Sequence, residues 1–245
     1  PTEIKQKTKM KISNLLLALF ALSLLGFTGC VSSEGDEAGG SLSLTSGDIT
    51  LTEIQAGQNL TLKANGAFNL KQALKVKNGG TLNIEEGVVI TTITSAAVSS
   101  ASLFVVVEQG GRINAIGTAA KPIVITSENK TSGDWGGLIV CGNAPINLSG
   151  GTGTIEIGEA NYGGTDATDN SGIIRYFRVE YTGSKIGDTK EHNGISFYGV
   201  GSGTTVEYVQ AYKGNDDGFE WYGGTVNGKY LVSSGNGDDS FDWTD

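Results

Sequence analysis

Two short stretches carry most of the side chains able to do chemistry. Asp216, Asp217 and Glu220 are followed by Asp238, Asp239 and Asp242, each 22 positions after its counterpart. A chain that repeats at this step sets the two groups side by side. Carboxylates facing one another at about 5 Å repel by about 1 kcal/mol per pair in a watery medium, and by several times that when partly buried. A hard cation would offset the repulsion, because Ca²⁺ takes about six to eight oxygens in flexible geometry and turn carbonyls can add to carboxylates. All six residues are therefore candidate metal ligands, with Ca²⁺ the candidate cofactor. Neither an EF-hand loop nor an RTX-type nonapeptide is present. The same residues have a plainer origin too, since turns favour Asp and Asn for their side-chain to backbone hydrogen bonds.

The elements that must position these carboxylates are short strands. Glycine reaches 38 of 245 residues and proline only 3, and β-branched runs such as Leu103 to Val107, Ile123-Val124-Ile125 and Leu138-Ile139-Val140 alternate with Gly, Asn, Asp and Ser. Helical periodicity is absent after Leu25. Asn193-Gly194-Ile195-Ser196-Phe197-Tyr198 superimposes on Asp217 to Tyr222 and on Asp239 to Trp243, and a weaker copy starts at Ser171-Gly172-Ile173. Steps of this size mark stacked repeats. The expected fold is all-β, a right-handed parallel β-helix with coils of about 22 residues.

Alternation along a strand then assigns directions. Ile195, Phe219 and Phe241 form one inward ladder and Phe197, Trp221 and Trp243 a second, while Ser196, Glu220, Asp242, Tyr198 and Tyr222 face out. Outward Tyr198 and Tyr222 are candidate ligand-binding residues able to stack on a sugar. On this register Phe219→Ala is expected to destabilise far more than Tyr222→Ala. Trp135 is expected at a coil corner and Cys141 in the core. Arg175 and Arg178 are expected to pair with Glu180 or with a carboxylate of a neighbouring coil, and His192, the single histidine, to be an exposed loop residue.

The segments GGTLNIEEGVVI at 79–90, KPIVITSEN at 121–129, GDWGGLIVCGNAPIN at 133–147 and GNDDGFEWYGGTVNGKYLVSSGNGDDSFDW at 214–243 resemble the repeats of large secreted surface lipoproteins with a pectin-lyase-like β-helix. That resemblance implies the fold and a surface location, and brings no catalytic residues. A local resemblance adds a second reading. Asn215 to Glu220 followed by Asn236 to Phe241 is similar to the NTDGFD and DD motifs of polygalacturonases, which implies an inverting polysaccharide hydrolase with Asp217, Asp238 and Asp239 as its carboxylates. Asp216 stands where that motif has Thr, and no Gly-His-Gly or Arg-Ile-Lys element is present.

The N-terminal part reads as an export signal. Residues 1–9 precede the sole methionine and are expected to be upstream translation. Met10, Lys11 and the apolar run Leu15 to Leu25 form a signal peptide over 10–29, and Phe27-Thr28-Gly29-Cys30 resembles a bacterial lipobox, which makes Cys30 the expected lipidation site. Residues 30–41 read as an acidic tether, similar to the surface-export signal of Bacteroidota-type lipoproteins. The expected location is the outer membrane, lipid-anchored and exposed at the cell surface. Residues 42–245 are the expected β-helix domain, truncated because the repeat is still running at Asp245. Without the four lysines and one glutamate of residues 1–29, 17 basic and 26 acidic side chains become 13 and 25, a net charge near −12 that argues against nucleic acid as a partner. The expected function is a non-enzymatic binding or adhesion module meeting a glycan or a surface protein, with the polysaccharide-degrading enzyme as the alternative.

Overall fold

The structure, a computed structural model, describes residues 40–188 and 190–244. The signal peptide, Cys30 and nearly all of the tether lie outside the described residues.

The chain winds as a parallel β-helix with three faces. The first face stacks strands 41–44, 59–62, 81–84 and 112–116, and the second stacks 47–49, 67–70, 89–92 and 123–127. In the last coils one long strand serves both faces, as Gly172–Glu180, Thr205–Tyr212 and Asn227–Ser234. The third face is a seven-stranded parallel sheet ending in Leu138–Cys141, Ile195–Tyr198, Phe219–Tyr222 and Phe241–Thr244. Parallel crossovers within a sheet are right-handed almost without exception, which gives the winding its hand.

Inward residues stack like on like. Leu62, Ile84, Ala115, Ile174 and Val206 are successive partners on the first face. On the third face Leu74, Val105, Leu138, Ile195, Phe219 and Phe241 make one ladder, and Val76, Val107, Val140, Phe197, Trp221 and Trp243 the other. Both aromatic ladders fall where the repeat placed them. Phe219 stacks on Phe241 at 5.5 Å between ring centroids, and Trp221 on Trp243 at 5.5 Å.

The weak copy at Ser171 belongs elsewhere. Ile173 lies on the first face against Asn114 and Thr205, and the strand beneath Ile195 is Leu138–Cys141. Residues 142–171 separate the two as an excursion carrying the antiparallel pair Gly153–Thr154 and Asn161–Tyr162. This excursion folds over the outside of the third face. Ile155, Ala160 and Tyr162, with Ile146 and Ile157, pack on Val106, Ile139, Cys141, Tyr198 and Tyr222 to make a second apolar layer.

Several outward positions are therefore covered. Tyr198 and Tyr222 do leave the coil, yet they are 3% and 7% exposed, so neither ring offers a face to a sugar and the expected ligand site there does not hold. Ser196 and Glu220 are buried as well. Cys141 is buried, though in this outer layer and not inside the coil. Trp135 is fully buried at a corner, its indole N–H donating to the Glu180 carbonyl at 2.7 Å. Arg175 pairs with Glu207 at 2.9 Å and Arg178 with Glu180 at 2.6 Å.

Two buried layers change the expected cost of truncation. Phe219→Ala removes a fully buried ring and should lower unfolding free energy by about 3 to 5 kcal/mol, and Tyr222→Ala should lose about as much because its ring is sealed in the outer layer. Tyr230→Ala, which gives up one exposed ring contact at a corner, should cost only about 1 kcal/mol. Urea unfolding of the three variants checks this order, and a harmless Tyr222→Ala would contradict the outer layer.

Candidate functional site

Two stacked turns build the acidic site. Residues 214–218 lead into the strand Phe219–Tyr222, and residues 236–240 lead into Phe241–Thr244. Backbone bonds fix their register, as Gly194 N–H donates to the Asp217 carbonyl at 2.8 Å and Gly218 N–H to that of Asp239 at 2.9 Å. The approach leaves no room for a side chain at 218, where a Cβ would lie 2.9 Å from the Ser240 backbone carbonyl oxygen. Glycine is thus required there by contact.

This stacking brings five of the six expected ligands together. One oxygen each from Asp216, Asp217 and Asp238 lies within 4.8 Å of the others, and Asp217, Glu220 and Asp242 form a second such group. Asp217 belongs to both. Asp239 is different, because its backbone N–H donates to Asp217 Oδ1 at 2.8 Å while its side chain is exposed outside both groups. Among the described residues none of the six carboxylates is in an ion pair.

Crowding and burial act on these groups in the same direction. Burial, then the charges of Glu191 and Asp217, push Asp216 up to about 7. Burial raises Asp217 to about 6, opposed by the bond from Asp239 and reinforced by Asp242 and Asp238. Glu220 reaches about 7, again chiefly through burial, although the Tyr222 hydroxyl works against the rise. Desolvation and unpaired like charge both disfavour the ionised form.

Residues that the acidic pattern alone did not single out complete the surroundings. Tyr222 OH donates to Glu220 Oε2 at 2.6 Å, and the Asn193 amide donates to the same oxygen. Asn193 is 4% exposed, and its Oδ1 has no hydrogen-bond partner. It occupies the register position of Asp217 and Asp239 one coil earlier, so the repeat itself carried the signal. Glu191 reaches Asp216 from the preceding coil and is paired with Lys185 at 3.0 Å. His192, expected in an open loop, is buried with its ring on Phe104 at 5.6 Å and Nε2 3.2 Å from the Ala101 carbonyl. Burial depresses it to about 4, so at neutral pH it is an uncharged packing residue.

These shifts have opposite signs in stability. A carboxyl with a raised folded pKa binds protons that the unfolded chain has released, so its contribution is greatest below about pH 4 and is lost as pH climbs to about 7. His192 refuses a proton that the unfolded chain accepts, so it favours unfolding as pH falls from about 6.5 to about 4. Asp216→Asn separates the two. In chelator, the variant should melt close to the parent at about pH 4 and above it at about pH 8. Melting curves that stay parallel across that range would mean that Asp216 carries no penalty.

A family model described as a pectate-lyase like beta helix domain matches residues 52–245. No curated protein and no solved structure matches the chain. The match spans the coils from the strand Glu53–Ile54 through both acidic turns, and with the stacked register it establishes that this chain belongs to the pectate-lyase-like β-helix family.

Proposed function

We propose that this chain is a lipid-anchored cell-surface β-helix that acts as a binding module, with the acidic row on its third face as a divalent-cation site of the Ca²⁺ type. The observation that carries this reading is Asp217. It is shared by two groups of carboxylates whose oxygens crowd within 4.8 Å, with no cationic side chain paired to them among the described residues. Like charges at that spacing need a counterion or protons. The unpartnered Asn193 oxygen beside Glu220 adds a neutral donor of the kind a hard cation takes. A cation held there with open coordination positions would bridge to an acidic glycan or to a carboxylate-bearing surface protein. The anchor at Cys30 and the outer-membrane location rest on the pattern from Met10 to Cys30.

A polysaccharide-degrading enzyme is the second reading. It is favoured by Asp216 and Glu220, whose carboxyls titrate near neutrality, where a general acid works best. An inverting pair needs about 6.5 to 9.5 Å between carboxyls to admit water, whereas Asp217 and Asp238 have oxygens within 4.8 Å. That crowding suits a cation clamp better.

Titration calorimetry with Ca²⁺ at about pH 8 should give a saturable heat and a higher melting temperature, both reversed by chelator. Asp217→Asn should weaken binding more than Asp239→Asn, because only Asp217 joins both groups. No heat and no thermal shift would remove the cation site. Incubation with polygalacturonate should release no reducing ends. Release that disappears in Asp239→Asn would replace the binding module with the hydrolase.

A further inference from the structure

A row of three tyrosines at the corner between the first and second faces takes no part in the acidic site. Tyr176, Tyr208 and Tyr230 hold the same register position in successive coils, and each has a left-handed backbone, with φ of 47°, 56° and 58°. That conformation is rare for a bulky residue. Here it bends the long strand from one face to the next and turns the ring outward. The rings lie face on face, at 4.5 Å and 7° for Tyr176 with Tyr208 and at 4.4 Å and 14° for Tyr208 with Tyr230. Tyr208 has a ring on either side and is still 39% exposed, and Tyr230 is 64% exposed. With the faces of Tyr208 covered, its open part is the ring edge.

This arrangement favours oxidative phenol coupling. Loss of one electron and the hydroxyl proton leaves a neutral radical with spin on the carbons ortho to oxygen, and two such radicals join there. Free phenoxyl radicals must first meet by diffusion, whereas here the partner ring is already held in contact. We propose that Tyr208 is an oxidative cross-linking site, coupled ortho to ortho with Tyr230 or Tyr176 by a peroxidase-type oxidant that consumes hydrogen peroxide. Two phenols lose one hydrogen atom each, one peroxide becomes two waters, and one carbon–carbon bond forms. The ortho hydrogens then move to oxygen, so both hydroxyls are restored. The product is a covalent staple between neighbouring coils.

The same molecule contains an internal comparison. Tyr198 and Tyr222 are stacked at 3.8 Å and 12°, but both are sealed under residues 142–171 and the Tyr222 hydroxyl is bound to Glu220. An enzyme-sized oxidant cannot reach them. Tyr181 and Tyr212 meet edge to face at 6.0 Å and 70°, which does not overlay their ortho carbons.

The test treats the full chain, at high dilution, with peroxidase and hydrogen peroxide, then digests the monomer fraction with trypsin. Cleavage after Arg175, Arg178, Lys190, Lys213 and Lys229 puts Tyr176, Tyr208 and Tyr230 on three separate peptides. Dityrosine fluorescence is expected in the monomer, with the Tyr208 peptide joined to that of Tyr230 or Tyr176. The yield should fall at least about tenfold in Tyr208→Phe, which keeps the ring stack but forms no phenoxyl radical, and should stay within about twofold in Tyr198→Phe. Cross-links found only between molecules, coupling of Tyr198 to Tyr222, or a monomer without dityrosine while free tyrosine couples in the same reaction would overturn the proposal.

Discussion

One constraint governs this molecule: each coil must lie in hydrogen-bonded register on the one before it, at the spacing of adjacent strands, about 4.8 Å. Every side chain thereby acquires a fixed neighbour above and below. For apolar residues the consequence is favourable, and the ladder from Leu74 to Phe241 is a row of like against like. For carboxylates it is not. The register that seats Phe219 on Phe241 also sets Glu220 beside Asp242. Aromatic stacking and acidic crowding are two results of a single geometry.

The site can be understood as a local conflict within that geometry. Turn sequences of the Asn-Asp-Asp-Gly kind supply the hydrogen bonds and glycines that close stacking demands, and the bond from Asp239 N–H to Asp217 Oδ1 is one of them. Repeating such a turn concentrates negative charge faster than the structure disperses it. Protonation relieves the conflict inside the chain, and burial first, then crowding, makes Asp216, Asp217 and Glu220 hold protons to higher pH than free carboxylates. A cation relieves it from outside.

Much of this was legible in the sequence and part of it was not, for a definable reason. The 22-residue step between Asp217 and Asp239 gave the register, both aromatic ladders and the acidic groups, because neighbouring coils are close in the chain as well as in space. Whatever came from the excursion at 142–171 was hidden. That segment carries no copy of the repeat, so nothing marked it as the cover over Tyr198 and Tyr222, and nothing marked the longer link between Glu180 and Ile195 that puts Ser171 out of step with Asn193. Alternation correctly sent the two tyrosines out of the coil, but direction is not exposure. His192 was misjudged on the same ground, since a lone polar residue before a strand gives no hint that Phe104, 88 positions earlier, will lie against its ring.

The single-residue bends at Tyr176, Tyr208 and Tyr230 have a consequence for where this architecture can vary. In the last three coils they join the first and second faces without a loop, so an insertion there would break a continuous hydrogen-bonded strand, whereas the earlier coils cross that edge in short links such as 63–66, 85–88 and 117–122. The longer departures from the coil, at 93–104, 128–137, 142–171 and 181–194, all enter at one of the other two corners. Those corners border the third face. The molecule is therefore one-sided, a smooth back set against a decorated front, and new loops that reshape what the acidic row meets can be added without disturbing the scaffold behind it.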